Sequence, residues 1–408
     1  MKKIAAFHFL FFICTVAFSQ TWHNYKFEAE YLHGTILKHN KHLENLVKGP
    51  VNGAKLGVEF QTMGEKPWHQ YYNFPVIGLG GTYLDLSNPD MLGQAFALYP
   101  YINIPIVRTN YFILNVKPGA GMSYVTKSFK NAAVYLGEEG DRNNIDLNRS
   151  NGAIGSHLNV YFSAGVNIEI PVAAGFSLTA EYNWNHISNG SIVQPNSGIN
   201  MLNASVGLKY FPNYSSYQAP EKQEVEDLPR KFSFEATLAG GVRELYYKDA
   251  KTYPIASLTL GVYRPLSNIY RMGLGLDAFY DGVYGYVNAP RKPNLYVRTY
   301  IDSDKFKNKI RAGVSWHNEL IMGRLIAGLH LGLYLYDPIK NLEPYTEAEK
   351  GTVRKPLIYG YDIDKEDGWL YTRVVGRYAI TNHFFASIAL KTHLQKAEFI
   401  EWGLGFRF

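Results

Sequence analysis

The chain has 408 residues, 46% of them hydrophobic and 19% charged, with a formal net charge of +6. Its aromatic content of 15%, with 32 tyrosines, excludes a disordered chain. Beyond the N-terminal leader no apolar run approaches the roughly 18 residues of a spanning helix, which excludes a helical membrane protein.

Lys2 and Lys3 precede an apolar run from Ile4 to Phe18, and Ala17 and Ser19 stand at −3 and −1 of a cut before Gln20. This pattern predicts a secretory signal peptide over residues 1–19. The single cysteine, Cys14, falls inside it, and Ile13 before it is too large for a lipoprotein site. The exported chain then has no thiol, so disulfides, thiol catalysis and thiolate metal sites drop out. Losing Lys2 and Lys3 lowers the formal charge by two, from +6 to +4. That excess is too small to argue nucleic acid binding.

The body reads in period two. From Leu158 one face is Leu158, Val160, Phe162, Ala164, Val166 and Ile168, against Asn159, Tyr161, Ser163, Gly165, Asn167 and Glu169. From Phe176 the even positions are Phe176, Leu178, Ala180, Tyr182 and Trp184, against Ser177, Thr179, Glu181 and Asn183. From Leu325 the odd positions Leu325 to Leu335 are apolar. Such alternation marks strands with one apolar and one polar face. Sixteen candidates follow, each of roughly 11 to 14 residues, the length that crosses a bilayer at a tilt. Short turns at 108–110, 171–175, 265–268, 321–324 and 379–382 all follow even strands, and long loops at 126–153, 281–306 and 337–369 all follow odd ones. That segregation is the pattern of an outer-membrane barrel, with short periplasmic turns and long external loops. One connection, Gly64 to Asn73, is too long for a periplasmic turn.

A charged stretch without alternation, Pro212 to Arg230, separates eight strands from eight. The ends of the halves match loosely: Phe176 to His186 parallels Phe384 to His393, and Val206 to Phe211 parallels Trp402 to Phe408. The fold class expected is therefore all-β, a transmembrane antiparallel β-barrel made of two tandem eight-stranded units, the second a degenerate repeat; a single sixteen-stranded barrel is the alternative. The divisions are a signal peptide (1–19), a first barrel (20–211), a periplasmic linker (212–230) and a second barrel (231–408). The closing face Ile400, Trp402, Leu404, Phe406 and Phe408 resembles the assembly signal of outer-membrane proteins, which makes the barrel-assembly machinery an expected partner during insertion.

Chemistry concentrates at His186-Ile187-Ser188-Asn189-Gly190 and Pro195 to Asn200. His186 and Ser188 continue the apolar register of strand seven, and Asn200 that of strand eight, so three polar groups face lipid near one external hairpin. Polar groups on a lipid face are costly and mark function. The outer leaflet there is lipopolysaccharide in a Gram-negative envelope. Serine needs a base to take its proton, and histidine two residues away on the same face can do so. Asn200 could orient the imidazole, and Asn189 with the N–H groups around Gly190 could bind an oxyanion. By itself His-x-Ser is a short motif, and an interfacial histidine beside a loop serine is the plainer alternative.

His186-Ile187-Ser188-Asn189-Gly190 with Pro195-Asn196-Ser197-Gly198 resembles the motif of the lipid A 3-O-deacylase (PagL-type, acyloxyacyl hydrolase-like) family. The resemblance covers Tyr25 to Phe211 in architecture and about fifteen residues in motif. It implies an eight-stranded outer-membrane barrel with a Ser-His-acid site on its lipid face: Ser188 as nucleophile, His186 as base and Asn189 at the oxyanion. The family's acid is a glutamate, and Asn200 stands at the matching position. This allows a Ser-His-Asn triad, a different acid or a weakened enzyme. Glu181 is near in sequence, but its odd register points into the barrel.

The second half lacks the motif. His393-Leu394-Gln395 replaces it, and Arg373, Arg377, Lys391, His393 and Glu401 read as an interior network. The loop Asp141 to Asp146 could bind a cation or sugar phosphates, but a solvated loop is the plainer reading and is preferred. The reading is an outer-membrane serine esterase that removes an ester-linked acyl chain from lipid A, without metal or cofactor and without nucleic acid. The alternatives are a non-enzymatic porin or scaffold, and an esterase of phospholipid.

Overall fold

The computed structural model describes residues 24–39, 41–141, 144–146, 148–245, 251–285, 303–338, 368–393 and 396–408. Residues 1–19, expected to be a signal peptide with Cys14, lie outside the described residues, as do the middles of the 281–306 and 337–369 loops and Leu394-Gln395.

Sixteen strands form two closed antiparallel barrels. The first comprises β1 (Tyr25–Ile36), β2 (Val51–Gln61), β3 (Val76–Asp85), β4 (Gln94–Arg108), β5 (Ile113–Val125), β6 (Leu158–Ala173), β7 (Phe176–Ser188) and β8 (Ile199–Tyr210). The second comprises β9 (Ser233–Glu244), β10 (Thr252–Pro265), β11 (Tyr270–Asp281), β12 (Ile310–Met322), β13 (Leu325–Tyr336), β14 (Leu370–Ala379), β15 (Phe384–His393) and β16 (Lys396–Arg407). Closure is β1 on β8 and β9 on β16. The single sixteen-stranded barrel is therefore overturned, and with it a wide porin lumen. An eight-stranded barrel has an interior that side chains fill.

The alternation sorts residues between lipid and lumen. In β7 Phe176, Leu178, Tyr182 and Trp184 are exposed, while Thr179, Glu181, Asn183 and Asn185 are buried. The lumen of the first barrel is an ionic lattice. Lys55 bridges Glu30 and Glu181 at 3.0 and 2.7 Å, and Lys117 bridges Glu28 and Glu181 at 2.6 and 3.1 Å. Lys209 meets Glu28, Glu59 and Glu169. Each charge is dry but paired, and removing one partner would cost about 3–5 kcal/mol by stranding the other.

At the long-loop end this polar lumen gives way to an apolar plug. Leu43 and Leu46 of the short helix α1 (Lys41–Leu46) pack with Leu86, Leu92, Ala153, Ile154, Ile187 and Ile199. At the short-turn end the long Gly64 to Asn73 connection has a role the strand pattern did not reveal. It folds into helix α2 (Pro67–Tyr71), which docks on the linker and the second barrel. Tyr71 donates to the Glu226 carbonyl at 2.7 Å, and the Gln223 N–H to Gln70 at 3.1 Å. Trp68 lies so close to Gly323, whose φ is +65°, that a Cβ there would fall 2.7 Å from its ring.

Candidate active site

β7 ends and β8 begins with the residues of interest. Ile187 and Ile199, opposite each other in the register, are both fully buried in the apolar plug. With those two pinned inward, period two sends His186, Ser188 and Asn200 outward. His186 lies directly across from Asn200. Its Nδ1 is 2.8 Å from Asn200 Oδ1, and its Nε2 is 2.9 Å from Ser188 Oγ. An amide oxygen can only accept, so Nδ1 carries the hydrogen and Nε2 holds the lone pair toward the Ser188 hydroxyl. Trp184 stacks on the imidazole at 5.6 Å and 15°, and Phe162 flanks it at 6.4 Å. The aromatic pair fixes the ring plane in which both hydrogen bonds lie.

Beyond Ser188 the chain turns sharply. Gly190 and Ser191 have φ of +60° and +68°, and the Ile192 N–H donates to the Asn189 carbonyl at 3.3 Å. Two left-handed central residues define a type I′ turn. The Asn189 side chain is used within the loop. Its amide donates to Ser156 Oγ at 2.9 Å and to the Val193 carbonyl at 3.0 Å, while its oxygen accepts the Val193 N–H. The Asn189 N–H is taken by Asn196 Oδ1 at 3.1 Å. Among the described residues the Gly190 N–H makes no hydrogen bond. Asn189 is thus the staple of the turn, and Gly190 presents the open donor. Gly198, with φ of +75°, covers the site: a Cβ there would come 2.8 Å from His186 Cε1 and 3.4 Å from Ser188 Cβ. Ser188 is only 4% exposed under this cover.

One residue was not foreseen. His39 follows β1, and its Nδ1 lies 3.5 Å from Asn200 Nδ2 while its Nε2 lies 3.2 Å from the Ser197 carbonyl. It falls beyond the last strand position, where alternation carries no information. The β1–β8 seam brings it in, extended by the Leu37 N–H to the Asn200 carbonyl at 2.8 Å.

Elsewhere, Glu181 sits in the lumen on Lys55 and Lys117, as its register implies. Asp141 and Asp146 bond locally to Asn144 and Arg149. Two buried clusters have metal-like spacing, His317–Glu319–His330 and Glu28–Glu30–Glu181. Each already holds a protein cation, Arg377 at 3.0 Å from Glu319 and Lys55 at 3.0 Å from Glu30, and neither borders Ser188.

Residues 52–209 match the family "Lipid A 3-O-deacylase (PagL)", and residues 232–347 with 357–408 match "Acyloxyacyl hydrolase, C-terminal domain". Solved structures that align include Neisserial surface protein A, 11% identical over 46% of this chain and 96% of that one, at TM-score 0.30. The outer membrane enzyme PagL aligns at 15% identity over 45% of this chain and 98% of that one, at TM-score 0.28. No curated protein matches the chain.

Proposed function

We propose that this outer-membrane chain, whose N-terminal half belongs to the lipid A 3-O-deacylase family, is a serine esterase that removes an ester-linked acyl chain from lipid A. The observation that carries the proposal is the continuous hydrogen-bonded series Ser188–His186–Asn200 on the lipid-facing register. A soluble esterase would have no reason to turn such a series toward acyl chains.

In this mechanism Ser188 Oγ attacks the ester carbonyl carbon as His186 Nε2 takes its proton. The carbonyl π electrons move to oxygen, and the Gly190 N–H meets the developing negative charge. The intermediate collapses, the bond to the lipid A alkoxide breaks, and His186 returns its proton to that oxygen. Water, deprotonated by the same imidazole, then cleaves the acyl-serine and releases the fatty acid. Asn200 holds the imidazole in the productive tautomer but adds no charge to offset the imidazolium. Exclusion of bulk water by Gly198 and the surrounding loop strengthens each of these interactions.

In the same reading residues 1–19 are the export signal, 212–230 a periplasmic linker and 231–408 a degenerate copy of the barrel. Insertion would use the barrel-assembly machinery. The test is mass spectrometry of lipid A from Gram-negative cells that express the wild type or Ser188→Ala. Loss of one acyl chain in wild-type cells alone is the expected result. Identical lipid A in both strains would sink the proposal, and a lysophospholipid product in its place would move the substrate to phospholipid.

A further inference from the structure

The turn after Ser188 is held from outside its own barrel. Ser191 is not a glycine, yet its φ is +68°, a conformation that an L-residue keeps only when its surroundings hold it there. The holding groups belong to the outer rim of the second barrel. The Ser191 carbonyl accepts the Glu244 N–H at 2.9 Å, and the Ser191 hydroxyl donates to the Ala397 carbonyl at 3.1 Å. The Gln194 N–H donates to Glu244 Oε2 at 2.9 Å. Gly190 rests on Ile400, so closely that a Cβ would lie 2.4 Å from Ile400 Cγ1. Ile400 shares the outward face of β16 with Trp402 and Leu404, which are 51% and 66% exposed, yet Ile400 is 3% exposed. What covers it is the catalytic turn.

We infer that the second barrel is a working part of the esterase site, and that Glu244 and Ile400 are positioning residues for the Gly190 oxyanion donor. This rests on the esterase reading above. Four contacts from the ends of β9 and β16 meet one turn between Asn189 and Gln194, and two of them fall on its one strained residue. Because the Gly190 N–H must meet an oxyanion at hydrogen-bond distance, a turn free to shift by a fraction of an ångström loses transition-state stabilisation without losing substrate affinity. At the opposite end the segment around α2 also meets the second barrel, where Tyr72 donates to the Ile269 carbonyl at 3.3 Å and Trp68 packs on Gly323, so the two barrels touch at both ends and the rim of the second is a fixed template.

The test uses the full chain in detergent micelles, with Glu244→Ala, Ile400→Ala and the conservative Glu244→Gln, which keeps an acceptor for the Gln194 N–H. Two readouts are taken: amide hydrogen exchange over residues 189–196, and hydrolysis of lipid A with kcat and KM resolved. Expected are faster exchange confined to that loop in both alanine variants, and a kcat lowered roughly tenfold with KM little changed. Glu244→Gln restores both. Loop exchange equal to wild type, or a normal kcat despite a loosened loop, overturns the inference. Ser188→Ala is run beside them. If it and the wild type are equally inactive, the esterase reading fails by itself, while the exchange data still decide whether the second barrel holds the turn.

Discussion

The two barrels share strand number, closure and a charged lumen, but they place their histidines on opposite faces. In the first, His186 points outward and meets Ser188 and Asn200. In the second, His317, His330 and His393 point inward, and each is almost fully buried. The contrast is sharpest at Ser315 and His317, which have the same two-residue spacing and a 2.7 Å contact. There the pair is locked among Asp277 and Tyr263, where no ester can reach it. The same two residue types, one register apart, make an outward hydrogen-bonded series on one face and a structural brace on the other. The lumens differ too. The first draws its cations from lysines, and the second mainly from arginines, as where Arg271 forks onto Glu235 at 2.6 and 3.1 Å. Such forks hold a geometry that a lysine's point charge does not. A stiffer lumen suits a barrel whose rim serves as a template.

Substitutions can break or sharpen this contrast. The largest expected effect is from His186→Ala, which should lower deacylation by about 10³-fold or more. Ser315→Ala should leave deacylation intact and lower stability by about 1–3 kcal/mol through its lost bonds to Asp277 and His317. Loss of deacylation in Ser315→Ala would end the division of labour. Next is Asn200, where a carboxylate would stabilise the imidazolium that an amide cannot. Asn200→Asp should raise kcat roughly tenfold at neutral pH, and Asn200→Leu should lower it. Equal rates in all three chains would show that Asn200 does not orient the base.

Gly198→Ala is a smaller perturbation. The new methyl would press on His186 Cε1 in a left-handed backbone, and a stability loss of about 1–2 kcal/mol with reduced kcat should follow. Chemical denaturation and steady-state kinetics read the two effects. The smallest effect concerns α2, the helix at the opposite end. Burial lowers the pKa of His69 in α2, although Glu65 sits 3.1 Å from its ring. The folded state thus favours the neutral ring. Its contribution is present above the unfolded pKa and is lost as pH falls through the lowered folded value. Melting in micelles between pH 7 and pH 4 should show this loss, and His69→Asn should reduce it. An unchanged pH profile in that variant would show that His69 is not the group whose titration destabilises the fold.

Much of this was readable from the residues. Alternation needs only the two-residue period of a strand, so the outward register of His186, Ser188 and Asn200 and the inward register of Glu181, His393 and Arg373 were available before any coordinates. The spacing of short turns and long loops likewise assigned the barrel class. The Asn189 side chain was expected at the oxyanion, but it is tied to Ser156 and Val193. Residue type identified a donor without revealing that both its hydrogens were already used.

What the sequence by itself determined is local: which face each strand residue takes, and which short motif sets a serine beside a histidine. Two eight-stranded units were legible in the sequence, and tertiary structure excluded the single sixteen-stranded alternative; it alone decided that α2 explains the long 64–73 connection, that His39 reaches Asn200, and that Glu244 and Ile400 hold the turn after Ser188. The physical reason is range. A side chain's direction along a strand follows from its neighbours one bond away, whereas barrel closure and inter-barrel contact join residues from 50 to more than 200 positions apart. No periodicity in the chain encodes those meetings.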